Sequence, residues 1–237
     1  MKQISRRDFV RSSMATSAAV ATAAGPSTAS EAAAASKEKM KIVGICCSCR
    51  KGKTTATSLQ VSLESAQEVS SRIEAELIEL AGLKINGNIA AGAAPEPGQR
   101  DDFPPLVPRL ANPKVRGIII GTPVYFGTMS SLCKAFLDRC IVLWQDDLAL
   151  SGKVAGALAV GGSRNGGQEV TIQSVQTSLF CQEMIVVGNG RPGPRLGATV
   201  WSGAPGGVTK DEYGMTTAKG LGRRVAEVVM QLSGSHA

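Results

Sequence analysis

Five short, mostly apolar runs recur along the chain: 41-KIVGIC-46, 75-AELIEL-80, 117-GIIIG-121, 153-KVAGALAV-160 and 184-MIVVG-188. Each is bounded by glycine or polar turns, the pattern of strands buried on both faces in a parallel sheet. The intervening segments have a different period. Leu59, Leu63 and Ala66 recur at i, i+4 and i+7, and Leu132, Phe136, Cys140 and Leu143 at i, i+4, i+8 and i+11. Each set lines one helix face. Leu221, Val225, Val228 and Leu232 repeat the spacing near the end, with Arg223, Arg224 and Glu227 on the other side. Strands alternating with helices predict an α/β fold, an open doubly wound sheet of five parallel strands whose ligands bind beyond the strands' carboxyl ends.

Residues 82–116 fit this pattern least, being rich in glycine and carrying Pro95, Pro97, Pro104, Pro105, Pro108 and Pro113. Only a short helix is expected there, capped by Asp101 or Asp102, holding Phe103 to Leu110 and cut short by Pro108, which lacks an amide hydrogen. The beginning of the chain reads differently. A basic stretch, 5-SRRDFVR-11, leads into the uncharged small-residue run 12-SSMATSAAVATAAG-25, with Ala33-Ala34-Ala35 ahead of Ser36 as a cleavage candidate. Residues 1–35 are expected to be a signal peptide of the twin-arginine type, and 36–237 one folded domain, exported to the periplasm by the twin-arginine machinery. No stretch approaches the ~20 apolar residues of a spanning helix, so no stable membrane anchor is expected.

The whole chain has 26 Lys and Arg against 19 Asp and Glu; residues 1–35 hold four and two of these, leaving 22 against 17, a net +5. Aromatic residues are only 4% of the chain and no basic face is interleaved with rings, so nucleic acid is not expected as a partner. A small anionic ligand accounts for the charge more economically. The sole histidine, His236, lies beyond the last periodic segment. That position leaves no imidazole for Ser-His-Asp or Cys-His hydrolysis or for a His-ligated zinc.

The loop 46-CCSCRKGKTT-55 joins the first strand to the first helix. Its 52-GKT-54 invites comparison with a nucleotide-binding P-loop, but the position five before Gly52 is Cys47, not glycine. A metal site is also disfavoured, because adjacent Cys46 and Cys47 on a strand point to opposite faces. Cys133 and Cys140 lie roughly 10 Å apart along a helix, too far for a disulfide. The remaining readings are an anion held by loop amides and the helix N-terminus, helped by Ser48, Thr54, Thr55, Arg50 and Lys53, or a solvated, N-capped helix start. Two further loops at strand ends favour the anion. In 122-TPVYFGTMSS-131, Pro123 and Gly127 shape a loop with Tyr125 and Phe126 beside a planar ring, and 161-GGSRNGGQE-169 combines four glycines with Arg164.

With these loops in view, residues 40 to 232 resemble the flavodoxin-like NAD(P)H-dependent FMN reductases, especially the branch of WrbA-like quinone reductases and iron-sulfur flavoproteins. The family's first loop is similar to GSPRKGGNT, onto which 48-SCRKGKTT-55 maps with Ser48, Arg50, Lys51, Gly52 and Thr55 kept. The stretch 121-GTPVYFGTMSSLCKAFLDR-139 resembles its isoalloxazine loop and 161-GGSRNGGQE-169 its third flavin loop. The resemblance implies a flavodoxin-like sheet of order 2-1-3-4-5 and a bound FMN. Its phosphate would lie on Ser48, Arg50, Lys53, Thr54 and Thr55. Its ring would lie among Pro123, Val124, Tyr125, Phe126, Gly127, Gly161, Gly162 and Arg164. NAD(P)H or another donor would supply electrons to a small-molecule acceptor such as a quinone or flavin; the alternative is an FMN electron carrier without its own substrate. Iron-sulfur members carry a cysteine cluster before the third strand, whereas no cysteine lies between Arg50 and Leu132 here, so no cluster is expected. Lys53 and Thr54 replace residues that are Gly and Asn in the family. Members are commonly oligomeric, and the Gly/Pro-rich stretch 190-GRPGPRLGATVWSGAPGG-207 is expected to place Trp201 at a homo-oligomer interface.

Overall fold

A computed structural model describes residues 38–95 and 97–234, so the expected signal peptide lies outside the described residues. At the centre is β1 (Met40–Cys46), paired in parallel with β2 (Ile73–Glu79) on one side and β3 (Val115–Tyr125) on the other. Beyond β3 lies β5 (Val154–Gly161), and β4 (Thr128–Met129) is a two-residue strand folded back antiparallel on β3. The outer edge is divided. β6 (Ile185–Val186) pairs with Val154–Ala155, and β7 (Ala198–Trp201) pairs with Leu158–Gly161, both parallel to β5. The order is therefore β2-β1-β3-β5 with β6 and β7 sharing the place beyond β5, which is the flavodoxin-like 2-1-3-4-5 when only the parallel strands are counted.

That division corrects two expectations. The run 184–188 supplies only two strand residues, because the chain leaves the sheet after Val186 and returns at Ala198. Trp201, expected in a long connection, ends a strand whose register is fixed by Gly161.

The helices are α1 (Thr54–Gln67), α2 (Val107–Ala111), α3 (Ser131–Arg139), α4 (Ile141–Gln145), α5 (Gln168–Cys181) and α6 (Glu212–Gly234). Strand alternation sends Ile42, Ile119, Leu158 and Val200 towards α1 and α6, where Leu59, Leu63, Leu221 and Val225 meet them. Val43, Ile45, Ile118, Ile120 and Ala157 face the other way, onto Phe136, Leu143, Ile172 and Val175. Fully burying each such side chain stabilises the fold by about 1.5–3 kcal/mol, which is why both sheet faces must be covered. Pro108 does not truncate its helix. It sits in the first turn of α2, where no amide is required, and a 3-10 turn over Pro104–Leu106 leads into it. The expected aspartate cap is absent: neither the 3-10 turn, which starts after Phe103, nor α2 has a capping side chain, and Asp101 instead accepts the Phe103 amide at 3.2 Å in the turn that precedes them.

Candidate functional site

Loops after β1, β3 and β5 come together at the carboxyl end of the sheet. In the first, Cys46 joins the core on the α1 side and Cys47 the core on the α3 side, as adjacent strand positions require. Burial pushes the Cys46 thiol up to about 11 and that of Cys140 up to about 12. Burial also raises Cys47, with Cys133 beside it. These thiols are protonated core groups, and among the described residues no cluster of His, Cys, Asp and Glu is placed to hold a metal ion.

Ser48 is buried and its hydroxyl accepts the Arg50 amide at 3.2 Å, so it shapes the turn. Gly52, at φ 64°, donates its amide to the Glu79 carboxylate at 2.7 Å. The helix α1 then begins without a capping side chain at Lys53 and without an acid in its first turn. Its first amides keep their partial positive charge for an outside anion. Arg50, Lys51 and Lys53 are exposed around that point, Thr54 is half-buried and Thr55 is buried.

The second loop is a tight hairpin. Pro123 is still in β3, in register with Val160, and the strand continues through Val124 and Tyr125, which face Met129 and Thr128 of β4. Phe126 and Gly127 form the two-residue turn at φ 49° and 79°. Turns with positive φ at both central residues match the twist of paired strands, and Asn-Gly is their usual sequence. A phenylalanine there carries about 1–2 kcal/mol of strain, yet Phe126 projects fully into solvent, at 109% relative exposure. Tyr125 beside it is also exposed. The hairpin is fastened to the first loop by Ser130, whose hydroxyl donates to the Cys47 carbonyl at 2.7 Å and accepts the Cys133 amide at 3.1 Å, capping α3.

Gly161 ends β5, and Gly162 follows with open space where a side chain would project. The buried Gln168 holds this third loop, accepting the Gly166 amide at 2.8 Å and donating to the Ser163 carbonyl at 2.6 Å. Gly167 approaches the hairpin so closely that a Cβ on it would lie 3.1 Å from Gly127 Cα. The second and third loops thus form one wall. Arg164 is turned elsewhere: its guanidinium pairs with the buried Asp211 carboxylate and lies 5.6 Å from the Trp201 ring and 5.3 Å from the Tyr213 ring. One of its terminal nitrogens, Nη1, is buried without a partner. Asp211 also accepts the Trp201 amide at 2.7 Å and the Gly214 amide at 3.0 Å, capping α6.

Sequence reasoning missed Ser130, Asp211, Gln168 and Glu79. The first two were accessible as capping residues before helical runs. Gln168 and Glu79 act through loops distant in sequence and carry no local signal.

A three-layer α/β sheet of this order, with an uncapped helix after β1 and two touching loops after β3 and β5, defines the chain as a flavodoxin-like protein. The family profile described as NADPH-dependent FMN reductase matches residues 40–192, and the chain belongs to that family of FMN-dependent NAD(P)H oxidoreductases. An iron-sulfur flavoprotein of Methanocaldococcus jannaschii is 39% identical over 193 residues, spanning 80% of this chain and 97% of that protein. An NAD(P)H dehydrogenase (quinone) of Acidithiobacillus ferrooxidans is 37% identical over 133 residues, 50% of this chain and 64% of that one. A WrbA-like flavodoxin from Agrobacterium tumefaciens shares the fold at a TM-score of 0.55 and 21% identity, covering 82% of this chain and 98% of that chain.

The residues present fit FMN. Unspent amides and two or three cations stand where a phosphate would dock, and glycines and exposed aromatics flank the space for a planar ring. When bound, the flavin supplies the hydride and electron chemistry. The protein's part is to hold and screen it.

Proposed function

We propose that this protein is an exported, single-cofactor FMN oxidoreductase that takes electrons from NAD(P)H or another donor and passes them to a quinone, a flavin or a similar small acceptor. The observation that carries this reading is the convergence of the uncapped α1 N-terminus with the Phe126–Gly127 hairpin and the Gly161–Gly162 loop at one end of the sheet. Arg50, Lys53, Thr54 and the loop amides hold the phosphate, with Ser48 and Thr55 shaping its seat. Pro123, Val124, Tyr125, Phe126, Gly127, Gly161 and Gly162 flank the ring. Arg164 acts from behind, through Asp211 and Trp201, as a support of the third loop.

No iron-sulfur cluster takes part in this reading, which the cysteine-free stretch between Arg50 and Leu132 supports. The N-terminal Arg6-Arg7 and the Ala-rich run after it support twin-arginine export to the periplasm, with FMN inserted during folding before transport. The working unit is a homo-oligomer.

The test is purification followed by cofactor release and turnover. The expected result is yellow protein with one noncovalent FMN per chain, no iron or acid-labile sulfide, and oxidation of NADPH or NADH that depends on an added quinone. Colourless protein that fails to take up added FMN would sink the proposal. Flavin-loaded protein without turnover on any quinone or flavin would favour an electron carrier instead.

A further inference from the structure

Two groups of cations stand out in the folded domain. Setting aside residues 1–35, the chain carries +5, and the first flavin loop accounts for +2 of it: Arg50, Lys51 and Lys53 against Glu79. A cavity of about 970 Å³ is lined by Arg191 and Arg195 from the connection between β6 and β7 and by Arg223 and Arg224 from α6, with Glu227 as its only acid. It shares no lining residue with the three flavin loops.

Four arginines and one glutamate line a single concavity, so its walls carry an excess of positive charge that raises the local concentration of anions. Glu227 pairs with both Arg223 at 3.8 Å and Arg224 at 3.5 Å, and one carboxylate shared between two guanidinium groups leaves three positive charges in excess. The wall nevertheless has a fixed shape. Asn189 is buried and closes the connection by donating to the Gly193 carbonyl at 3.1 Å and accepting the Arg195 amide. Gly188 and Gly220 permit backbone approaches that no side chain would allow: a Cβ would lie 2.1 Å from the Arg195 carbonyl oxygen or 2.6 Å from that of Asn189. Arg223 donates to the Arg191 carbonyl, tying helix to loop. Like charges are thus assembled on a hydrogen-bonded frame at the split edge of the sheet, where an uninterrupted fifth strand would have no such insert.

We propose that this cavity is a second ligand site, for a small molecule bearing several phosphate groups. Guanidinium forks match phosphate oxygens in pairs, and the volume suits a ligand of nucleotide size. No aromatic side chain lines it, so recognition falls on the phosphates and not on a stacked base. The inference does not rest on the flavin reading.

The experiment is calorimetric titration of the FMN-loaded protein with inorganic tripolyphosphate at fixed ionic strength, with sulfate as the control for general screening. Saturable 1:1 binding with a submillimolar Kd is expected, weakened at least tenfold in Arg191→Ala/Arg195→Ala with FMN content unchanged. Glu227→Gln removes the only opposing charge and is expected to tighten binding severalfold, an effect that damage to the fold would not produce. Titrations with ADP and with oxidised NADP then separate a free nucleotide from the dinucleotide as the source of the phosphates. Absence of saturable binding, equal binding in the double variant, equal competition by sulfate, or weakening by Glu227→Gln would overturn the proposal.

Discussion

Glu79 sits where a flavin phosphate needs positive surroundings, yet its carboxylate holds the Gly52 amide at 2.7 Å. Shape and charge oppose each other at this residue. Glu79→Gln keeps an acceptor for the amide and removes the charge, so FMN affinity is expected to rise severalfold; Glu79→Ala releases the loop and is expected to lower it. Fluorescence titration of apo-protein decides, and equal weakening by both variants would refute the argument. Arg50 is exposed, so its contact with phosphate is screened, and Arg50→Ala is expected to weaken FMN only about fivefold. Phe126 presents a different opposition, between backbone and function. Phe126→Asn restores the Asn-Gly sequence that a positive-φ turn prefers, and no buried surface is lost from a side chain this exposed. A rise in Tm of about 2 °C is expected, together with slower turnover or weaker flavin retention. A variant that is neither more stable nor less active would show that the strain serves no purpose at the site.

Between elements, the 82–116 segment is held to α3 by Arg139, which makes two hydrogen bonds to the Asp101 carboxylate at 2.9 and 2.7 Å and lies 4.8 Å from the Phe103 ring. The Arg139 guanidinium beside Asp101 holds its carboxyl below the usual range. A depressed folded pKa means that the pair's contribution is complete above the unfolded value near pH 4 and is lost as pH falls through the folded value. Asp101→Asn is therefore expected to cost about 2–3 kcal/mol at pH 7, the partly exposed carboxylate giving less than a fully buried pair. Asp102 and Glu76 are shifted in the same direction and remain in both proteins, so the difference between wild type and variant isolates Asp101. Thermal unfolding from pH 7 to pH 3 should show the Tm gap closing below about pH 4; a constant gap would refute the assignment. At this scale the sequence was readable where period and burial agree, as in α6, whose Leu221 and Val225 are fully buried. It was not readable at β7, because four residues between glycine-rich stretches have no period, and their strand character comes from pairing with Leu158–Gly161. The hairpin after β3 was hidden for a related reason. A Phe-Gly turn opposes local preference, and the register Val124 to Met129 is what enforces it.

For the whole molecule, an open parallel sheet was legible in the five apolar runs and its order in the family resemblance, and the three loops that were expected at strand ends do meet at one end of it, whereas the direction in which Arg164 and Trp201 face was not legible. Trp201 was expected to need a second subunit, but its indole N–H donates to the Gly162 carbonyl at 2.9 Å and its ring meets Arg164 within the same domain. Its polar atom is satisfied and part of its face is covered. The exposed apolar side chains near the site are instead Phe126 and Tyr125 on the hairpin and Val170 in the first turn of α5, which packs against that hairpin through Thr171 and Gly127. Burying these against a second copy would remove about 1.5 kcal/mol or more of unfavourable hydration per large side chain. It would also close the flavin cleft from outside, and a two-fold axis would bury the same patch on both copies at once. The homo-oligomer proposed here is thus expected to depend on the hairpin and not on Trp201. Sedimentation at micromolar concentration should give an assembly that Val170→Asp dissociates and Trp201→Phe leaves intact. A monomer in the wild type would remove the oligomer from the proposal, and dissociation by Trp201→Phe with Val170→Asp intact would return the interface to Trp201.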